Sequence, residues 1–341
     1  MDKLVARSQS DIMSSWNSDS GLLVSVVCAT YNQERYLANA LDGFLAQLTS
    51  FPFEILVHDD ASTDGTAAII RSYHERYPEI IRPIIQAENQ YSKGGFKPWV
   101  YAASHSCAQY IAVCEGDDYW IVEDKLQRQI DALDENENVD FSFHSAFELT
   151  EGQLLDHASW VFGEDQILPL DFLMDLRAGS FAPTASYVIR RRVLENLPEW
   201  FLQGAPVADF FVERYAALRG GAAYFCEPMS VYRTMASGSW TERMRDEEPE
   251  YRAYVEGMLR AMALMAPDFA AFPLEMRRLR ARFCLKYALE DILRGNDENF
   301  KRLIFESVES YRFVSRKQRI FYYFSFWPAL LRKVLRVRRG L

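Results

Sequence analysis

Apolar residues between positions 22 and 145 follow two alternating patterns, which together predict strands separated by helices. Continuous apolar runs predict strands at 22–28, 53–57, 80–85, 110–114 and 139–145. Between these runs, apolar residues recur three or four positions apart, which predicts helices at 37–48, 69–77, 98–109 and 123–133. Such an alternation favours a mostly parallel sheet with helices on both faces.

The pattern changes twice along the rest of the chain. It weakens from 146 to 206, and then predicts a strand, a helix and two closing strands at 184–190, 207–219, 222–226 and 229–233. After residue 241 it becomes helical throughout, with helices at 251–266, 274–293 and 300–314. We therefore expect three regions: a flexible polar arm at 1–20, an α/β domain at 21–240 and a helical extension at 241–341.

Charge is unevenly distributed along the 341 residues, whose formal net charge is −10 at pH 7. Residues 316–341 contain eight Lys or Arg and no Asp or Glu, so the rest of the chain carries −18. An acidic balance argues against nucleic acid as a partner. Five scattered cysteines without a CxxC pair favour reduced thiols in a cytoplasmic protein. The first twenty residues lack a signal-peptide pattern, and no apolar run approaches the ~20 residues of a spanning helix.

Two acidic clusters each follow a predicted buried strand directly. They are His58-Asp59-Asp60 and Glu115-Gly116-Asp117-Asp118-Tyr119-Trp120. In open α/β sheets, ligands bind at the carboxyl ends of the strands, so these carboxylates predict a site for a nucleotide diphosphate with a divalent cation. The turn after the first strand reads Cys-Ala-Thr-Tyr-Asn at 28–32, without the glycines of a dinucleotide fingerprint. A P-loop is also absent from the sequence, so nucleotide recognition must rely on side chains.

The segments 24–32, 59–66 and 115–120, in this order, make the sequence similar to family-2 glycosyltransferases. The resemblance covers about residues 22–240. It implies an α/β fold of the GT-A type, with a mostly parallel nucleotide-binding sheet flanked by helices, followed here by an α-helical extension. The implied reaction is inverting transfer of a sugar from a nucleotide diphosphate, with UDP expected, to a hydroxyl of a glycan or lipid-linked acceptor. Surface polysaccharide synthesis is the implied setting.

The resemblance also assigns roles to individual residues. Those implied to bind the nucleotide are Ala29, Thr30, Tyr31, Asn32, Glu34, Asp60, Asp117 and Arg233. Tyr31 would pack on the base, and Asp60 would accept a hydrogen bond from the base or ribose. Asp118 would hold Mg²⁺ or Mn²⁺. Asp209, at the start of a predicted helix, would be the catalytic base.

Other interpretations of the same residues stay open. Asp is a favoured helix N-cap, so either acidic pair or Asp209 has a purely structural alternative. Met235 stands where relatives often carry a His, which puts a third protein ligand for the metal in question. Trp120 and Trp240 are candidates either for stacking on a sugar or for the core. For the whole chain, the alternatives are a non-catalytic nucleotide-binding scaffold for glycan assembly and a sugar-nucleotide pyrophosphorylase.

The basic C-terminal tail has two interpretations. Its apolar, aromatic-rich run at 320–331 is interrupted by Pro328 and flanked by basic residues on both sides. This composition is typical of an element that lies on an anionic membrane surface. For this chain, the expected surface is the inner face of the cell membrane. The alternative is a helix packed on the rest of the protein, with a solvated basic end.

Overall fold

The computed structural model describes residues 4–17, 20–150, 153–234 and 248–339. The chain divides into two compact units. The first comprises Met1–Leu170 and Ala182–Arg252, and the second comprises Asp171–Phe181 and Ala253–Leu341. The short segment 171–181 thus belongs with the C-terminal residues, although it lies far from them in the sequence.

The first unit is built around one mixed sheet. The ten strands of the described residues are β1 Val24–Thr30, β2 Phe53–Asp59, β3 Ile81–Ile85, β4 Tyr110–Val113, β5 Tyr119–Trp120, β6 Phe141–Thr150, β7 Gln153–Ser159, β8 Gln166–Leu168, β9 Val188–Arg190 and β10 Ala222–Thr234. Their order is β3-β2-β1-β4-β9-β6-β10-β5, with β7 paired to β6 and β8 paired to β10. The four strands β3, β2, β1 and β4 are parallel, as the alternating pattern predicts.

The second half of the sheet differs from the sequence prediction. β9 pairs antiparallel with both β4 and β6, whereas β10 runs parallel to β6. The predicted strand at 184–190 is shorter, because 184–186 forms a 3-10 turn. The two predicted closing strands are one strand, β10, whose register on β6 shifts between Phe225 and Ser230. That shift lets β10 also pair with β5, beside the second acidic cluster.

The helices of the described residues cover the sheet in the first unit and form the second. They are α1 Gln9–Met13, α2 Leu37–Leu45, α3 Thr66–Arg76, α4 Pro98–Ala103, α5 Lys125–Glu135, α6 Leu170–Leu176, α7 Arg191–Glu195, α8 Glu199–Gly204, α9 Asp209–Ala217, α10 Glu248–Met265, α11 Pro273–Arg294, α12 Asp297–Ser310, α13 Arg316–Tyr323 and α14 Pro328–Arg339. Among the described residues, no helix is both long enough and apolar enough to cross a membrane.

Buried strands and the apolar faces of the helices form the core of the first unit. Every residue of β1 and β2 is buried, which explains why these strands appear as continuous apolar runs. The helix α2 contributes Leu37, Leu41 and Phe44, all fully buried. These residues recur at helical spacing on the face that packs against the sheet.

Within the expected flexible polar arm at 1–20, residues 8–16 are folded against the sheet. α1 begins after Ser8, whose side chain accepts a hydrogen bond from the Asp11 N–H. Ile12 is fully buried in the core of the first unit, and the Trp16 ring lies 5.6 Å from Phe53, edge to face. The apolar Ile12 and Trp16 therefore hold this segment on the sheet, despite the polar residues around them.

The second unit is helical and is linked by ion pairs as well as by apolar packing. Asp175 accepts from Arg278 at 3.0 Å and from Arg282 at 2.6 Å, so α6 is tied to α11. Ser307 of α12 donates to the Ala281 carbonyl of α11 at 2.6 Å. These contacts explain why the segment 171–181 belongs to this unit.

Candidate active site

The turns that follow β1 and β2 are joined by reciprocal hydrogen bonds. Asn32, which has the left-handed φ of 52°, donates its N–H to the Ser62 hydroxyl and accepts from the Thr63 N–H, each at 2.8 Å. Glu34 accepts from the Gly65 N–H at 2.7 Å. Asn32 and Glu34, which the resemblance assigns to the nucleotide pocket, therefore fix the neighbouring turn. Whether they also contact a nucleotide stays a prediction.

Asp60 lies just beyond β2 and is buried. Its two carboxylate oxygens accept the main-chain N–H groups of Gln90 at 2.8 Å and Tyr91 at 2.9 Å. The Asp60 N–H donates to the Thr30 carbonyl at 3.1 Å, which places this residue beside the end of β1. Asp60 thus positions the segment after β3, a role that its place in the sequence does not indicate. Each oxygen has further acceptor capacity, as the proposed contact with a base or ribose requires.

The turn after β1 and the second acidic cluster lie against each other and form the floor of the candidate site. Ala29 and Thr30 are buried there, and the Gly116 N–H donates to the Ala29 carbonyl at 3.0 Å. A Cβ added at Gly116 would lie 2.5 Å from the Gln33 side-chain oxygen and 3.2 Å from Thr30. Glycine at this position therefore lets the acidic cluster approach the turn closely. Tyr31, by contrast, has 45% of its surface exposed, as a residue that stacks on a base would need.

β10 brings Arg233 against the acidic cluster. The main-chain N–H of Arg233 donates to Asp118 Oδ1 at 2.7 Å, and its Nε donates to the Asp117 carbonyl at 2.9 Å. The Arg233 guanidinium also lies 4.4 Å from the centre of the Tyr36 ring. Asp117, Asp118 and Arg233, three residues predicted to act together, are therefore in direct contact. The contact depends on the pairing of β10 with β5.

Burial and mutual repulsion make the carboxylates of this cluster hard to ionise. Burial, followed by the charges of Asp117 and Asp209, raises the pKa of Glu115 to about 8. Burial also raises the pKa of Asp117, while Arg233 opposes that rise. For Asp118 the pKa rises well above its usual range, because of burial first and the Asp117 charge next. A cation at this position would relieve the repulsion among these groups.

Asp209 is the first residue of α9 and is half-buried. Its charge acts on Glu115 and also contributes to the raised pKa of the Tyr232 hydroxyl, after burial, Asp118, Glu115 and Asp117. Asp209 is therefore within electrostatic range of the acidic cluster. Its role as a base remains a prediction.

A buried network fixes the start of α9. Glu213 accepts the Tyr187 hydroxyl at 3.0 Å and the Ala182 N–H at 3.3 Å, and it pairs with Arg214 at 2.6 Å. The Arg214 guanidinium lies 3.7 Å from the centre of the Phe210 ring. Buried polar groups that are satisfied in this way hold a helix end in one orientation. The first turns of α9, which carry Asp209, are thus held by groups that the sequence pattern did not single out.

The residues present fit a divalent cation with few protein ligands. Asp118 Oδ2 is buried and has no hydrogen-bond partner among the described residues, and it belongs to the hard-oxygen class that Mg²⁺ and Mn²⁺ prefer. Within the described parts of the chain, no group of three or more His, Cys, Asp and Glu side chains has the arrangement of a metal site. Among the described residues, Asp118 would be the ligand of such a cation, together with oxygens from a bound diphosphate. Met235 and Trp240 lie outside the described residues.

Sequence reasoning missed three residues of the site. Glu115 lies inside the second acidic cluster and Tyr232 directly precedes Arg233, but the sequence assigned no role to either, and their proximity to Asp209 is an effect of folding. The Gln33 side chain opposes the rise in the pKa of Asp117, and nothing in the sequence indicated that proximity. Trp120 is fully buried and donates its indole N–H to the Ala185 carbonyl at 2.8 Å, so it belongs to the core and does not stack on a sugar.

Solved structures of similar fold support the architecture. TarS from S. aureus matches 91% of this chain and 54% of its own, with a TM-score of 0.63 and 18% identity. The mannosyltransferase PcManGT from Pyrobaculum calidifontis matches 93% of this chain and 89% of its own, with a TM-score of 0.51 and 15% identity. The predicted fold class, α/β of the GT-A type with a helical C-terminal region, is confirmed.

Sequence comparisons establish the family. The model of "Glycosyl transferase family 2" matches residues 25–198. The chain is 35% identical over 243 residues to "Uncharacterized protein Rv1520" of Mycobacterium tuberculosis, covering 71% of this chain and 67% of the relative. It is 33% identical over 131 residues to the β-1,3-glucosyltransferase WfaP of Escherichia coli, covering 37% of this chain and 46% of the relative. This chain belongs to glycosyl transferase family 2, as its motifs predicted, and is a glycosyltransferase.

Proposed function

We propose that this protein is an inverting, metal-dependent glycosyltransferase of the hexosyltransferase type. It moves a sugar from a UDP-linked donor to a hydroxyl of a glycan or lipid-linked acceptor, in surface polysaccharide synthesis. The observation that carries the proposal is the convergence of Asp117, Asp118, Arg233 and Asp209 around one acidic cluster. Arg233 and a cation held by Asp118 would suit a diphosphate, and Asp209 would suit the role of base.

The donor would be held by the turns after β1 and β2 and by β10. Tyr31 offers an exposed ring to the base, and Arg233 offers guanidinium N–H groups to the diphosphate, where charge-assisted hydrogen bonds are strongest. Asp118 Oδ2 would bind the cation, with Asp117 beside it toward the ribose or sugar. A bound divalent cation stabilises the negative charge that grows on a departing diphosphate.

Asp209 would act as general base. The acceptor oxygen forms a bond to C1 of the sugar, while the bond from C1 to the phosphate oxygen breaks and its electron pair leaves with the nucleoside diphosphate. The acceptor proton passes to the Asp209 carboxylate. One displacement from the face opposite the leaving group inverts the configuration at C1. The fixed start of α9 keeps the carboxylate oriented for this transfer.

The names of relatives support the choice of donor and acceptor. WfaP and WfgD are named as UDP-Glc:α-D-GlcNAc-diphosphoundecaprenol β-1,3-glucosyltransferases, which joins a UDP-linked donor to a lipid-linked acceptor. TarS has been crystallised with UDP and with UDP-GlcNAc. PcManGT has been crystallised with GDP-Man and Mn²⁺, which makes GDP the competing base and Mn²⁺ the cation to test. We place the reaction in the cytoplasm, at the inner face of the membrane.

Thermal unfolding with nucleoside diphosphates tests the donor site. We expect UDP with Mn²⁺ to raise the melting temperature more than GDP, ADP or CDP, because a ligand that binds only the folded state stabilises it. The Asp118→Asn variant should lose the part of the shift that requires Mn²⁺. A larger shift with GDP would contradict the UDP assignment, and an equal metal effect in wild type and Asp118→Asn would contradict the role of Asp118.

Transfer assays test the base. Asp209→Asn should lower kcat by about 10²–10⁴-fold and leave UDP binding unchanged, since a positioned base contributes that much. Asn keeps the shape of the side chain and suits a helix start. The matched control is Asp171→Asn, another acid in the first turn of a helix, which should keep full activity. UDP binding without transfer or donor hydrolysis in the wild-type protein would support a non-catalytic scaffold instead.

A further inference from the structure

Near the end of the second unit, some polar side chains are buried and some aromatic side chains are exposed, which is the opposite of the usual arrangement in water. Around α13, the polar side chains of Gln318 and Ser325 are fully buried. Between α13 and α14, Phe326 and Trp327 keep 71% and 60% of their surfaces exposed. A helical segment that simply packed on the protein would bury its aromatic residues and expose the polar ones. This arrangement points to a partner that accepts apolar side chains.

Eight large exposed apolar residues lie within the 22 positions from 313 to 334. They are Phe313, Ile320, Tyr323, Phe324, Phe326, Trp327, Leu330 and Val334, and we call this set the tail face. Phe313 stacks on Tyr323 with ring centres 6.4 Å apart, and Phe324 lies 6.2 Å from Trp327. Single exposed apolar residues are common on protein surfaces, but a cluster of large aromatic ones marks an interaction site.

Buried contacts hold the tail face in place from behind. Gln318 donates to the Ser307 hydroxyl at 2.8 Å and to the Tyr311 carbonyl at 3.0 Å. Phe321 is buried and lies 6.3 Å from Phe300 of α12, edge to face. Arg332 of α14 donates to the Ile292 carbonyl at 2.7 Å and pairs with Asp297. These contacts hold α13 and α14 in place, so the side chains of the tail face stay exposed in the folded protein.

Charge identifies the kind of partner. Residues 316–341 hold eight basic residues and no acidic one, while the rest of the chain carries −18. Arg316, Lys317, Arg319 and Lys333 are exposed next to the apolar residues. Two copies of such a cationic face would repel each other, whereas an anionic lipid surface complements both its charge and its apolar residues.

We propose that the tail face binds peripherally to an anionic lipid bilayer. Its aromatic side chains enter the interface between headgroups and acyl chains, and its basic residues contact the lipid phosphates. The inference does not rest on the proposed sugar transfer, because it concerns different residues. It is compatible with a lipid-linked acceptor, which would be presented at the same surface.

Vesicle co-sedimentation of the full chain tests this proposal. We expect partitioning onto equimolar phosphatidylcholine and phosphatidylglycerol vesicles to exceed that onto phosphatidylcholine alone by about tenfold or more, and to weaken as salt is added. Reversing two charges, as in Lys317→Glu with Lys333→Glu, should remove about tenfold of that binding. Failure of the wild-type chain to prefer anionic vesicles would overturn the proposal.

A pair of double variants separates the tail face from general stickiness. Phe326→Ser with Trp327→Ser should weaken vesicle binding about tenfold or more. The control, Leu202→Ser with Leu264→Ser, removes two other residues that are each 54% exposed and should bind as wild type does. Equal binding by both double variants would overturn the proposal, as would a dimer in the absence of lipid that only the tail-face variant loses.

Two further measurements keep the result independent of folding and of the transfer reaction. Brominated acyl chains should quench part of the tryptophan emission of the bound wild-type protein, and Trp327→Phe should remove that part while still binding. Quenching unchanged by Trp327→Phe would place another tryptophan in the membrane and overturn the assignment. The UDP-induced thermal shift of each variant should equal that of wild type, which would show that the variants are folded. Vesicle binding does not involve sugar transfer, so its result stands even if the sugar-transfer proposal fails.

Discussion

Asp60 is a buried carboxylate that receives two main-chain N–H groups, from Gln90 and Tyr91. A carboxylate only accepts hydrogen bonds, so both N–H groups can be satisfied by its two oxygens. We predict that Asp60→Asn lowers the free energy of unfolding by about 1–3 kcal/mol, because the amide NH₂ would face one of these buried donors. Urea denaturation of the two proteins measures this difference.

Asp64 supplies a matched control for this prediction. It also accepts two main-chain N–H groups, from Thr66 at 3.0 Å and Glu34 at 3.1 Å, but its side chain is only partly buried. Water can replace a lost hydrogen bond at such a position, so Asp64→Asn should cost clearly less than Asp60→Asn. Equal losses in the two variants would show that burial is not what makes Asp60 important.

Arg233 shows what a motif can and cannot predict at a single position. The resemblance implied that Arg233 binds the nucleotide, and the structure places Arg233 against Asp117 and Asp118. The contact with Asp118 comes from the main-chain N–H of Arg233. Any residue type except proline could donate that bond, so no pattern of side chains reveals it. Only the register of β10 on β5 does so.

The helix α2 approaches the acidic cluster through a glycine. A Cβ at Gly43 would lie 3.0 Å from the Trp120 carbonyl oxygen and 3.2 Å from the Trp120 nitrogen, both in the backbone of β5. Alanine would favour the helix by roughly 0.5–1 kcal/mol, but overpacking against backbone costs typically about 1–3 kcal/mol. We predict that Gly43→Ala is net destabilising by about 1–2 kcal/mol in chemical denaturation.

The Gly43→Ala variant should also weaken UDP binding. Displacement of β5 would shift Asp118, because Asp118 directly precedes this strand. Gly204→Ala in α8 is the control, since a Cβ there meets nothing within 4 Å. That change should be neutral or slightly stabilising and leave UDP binding unaltered. A Gly43→Ala protein as stable as wild type would mean that α2 and β5 can separate without cost.

Strands that are buried on both faces could be predicted from their own residues. Elements that depend on pairing with a segment far away in the sequence could not. β1, β2 and β4 are buried on both faces, so their apolar runs stand out in the sequence. β5 has two residues and exists because β10 pairs with it. The aromatic residues of α13 suggested either burial or a membrane surface, and only the structure shows which side chains face outward.

Across the whole molecule, buried ionisable groups oppose one another as the pH changes. The raised pKa of Glu115, about 8, means that the folded protein binds more protons than the unfolded chain between pH 4.5 and 8. Through this group, stability is lost as the pH rises through that range. The histidines act in the opposite direction, because burial lowers the pKa of His58 to about 4 and that of His144 well below 6.5.

His58 allows the effect of a buried histidine on stability to be measured separately. It is fully buried, with its ring 5.7 Å from Phe96 and 5.5 Å from Tyr101. The unfolded chain takes up a proton at this residue below pH 6.5, and the folded protein does not until about pH 4. Stability contributed by the neutral ring is therefore present above pH 6.5 and is lost as the pH falls toward 4. A phenylalanine in its place has no proton to gain.

We predict that His58→Phe gains about 1–3 kcal/mol of stability relative to wild type between pH 6.5 and pH 4, with parallel curves above pH 7. Urea denaturation across this range measures the difference. Leu264→Ser, which changes an exposed residue of the second unit and removes no ionisable group, should shift stability by the same amount at every pH. If the His58→Phe and wild-type curves stay parallel down to pH 4, His58 takes up its proton in the folded protein as readily as in the unfolded chain. The surroundings of β2 would then be more open to water than the packed ring contacts indicate.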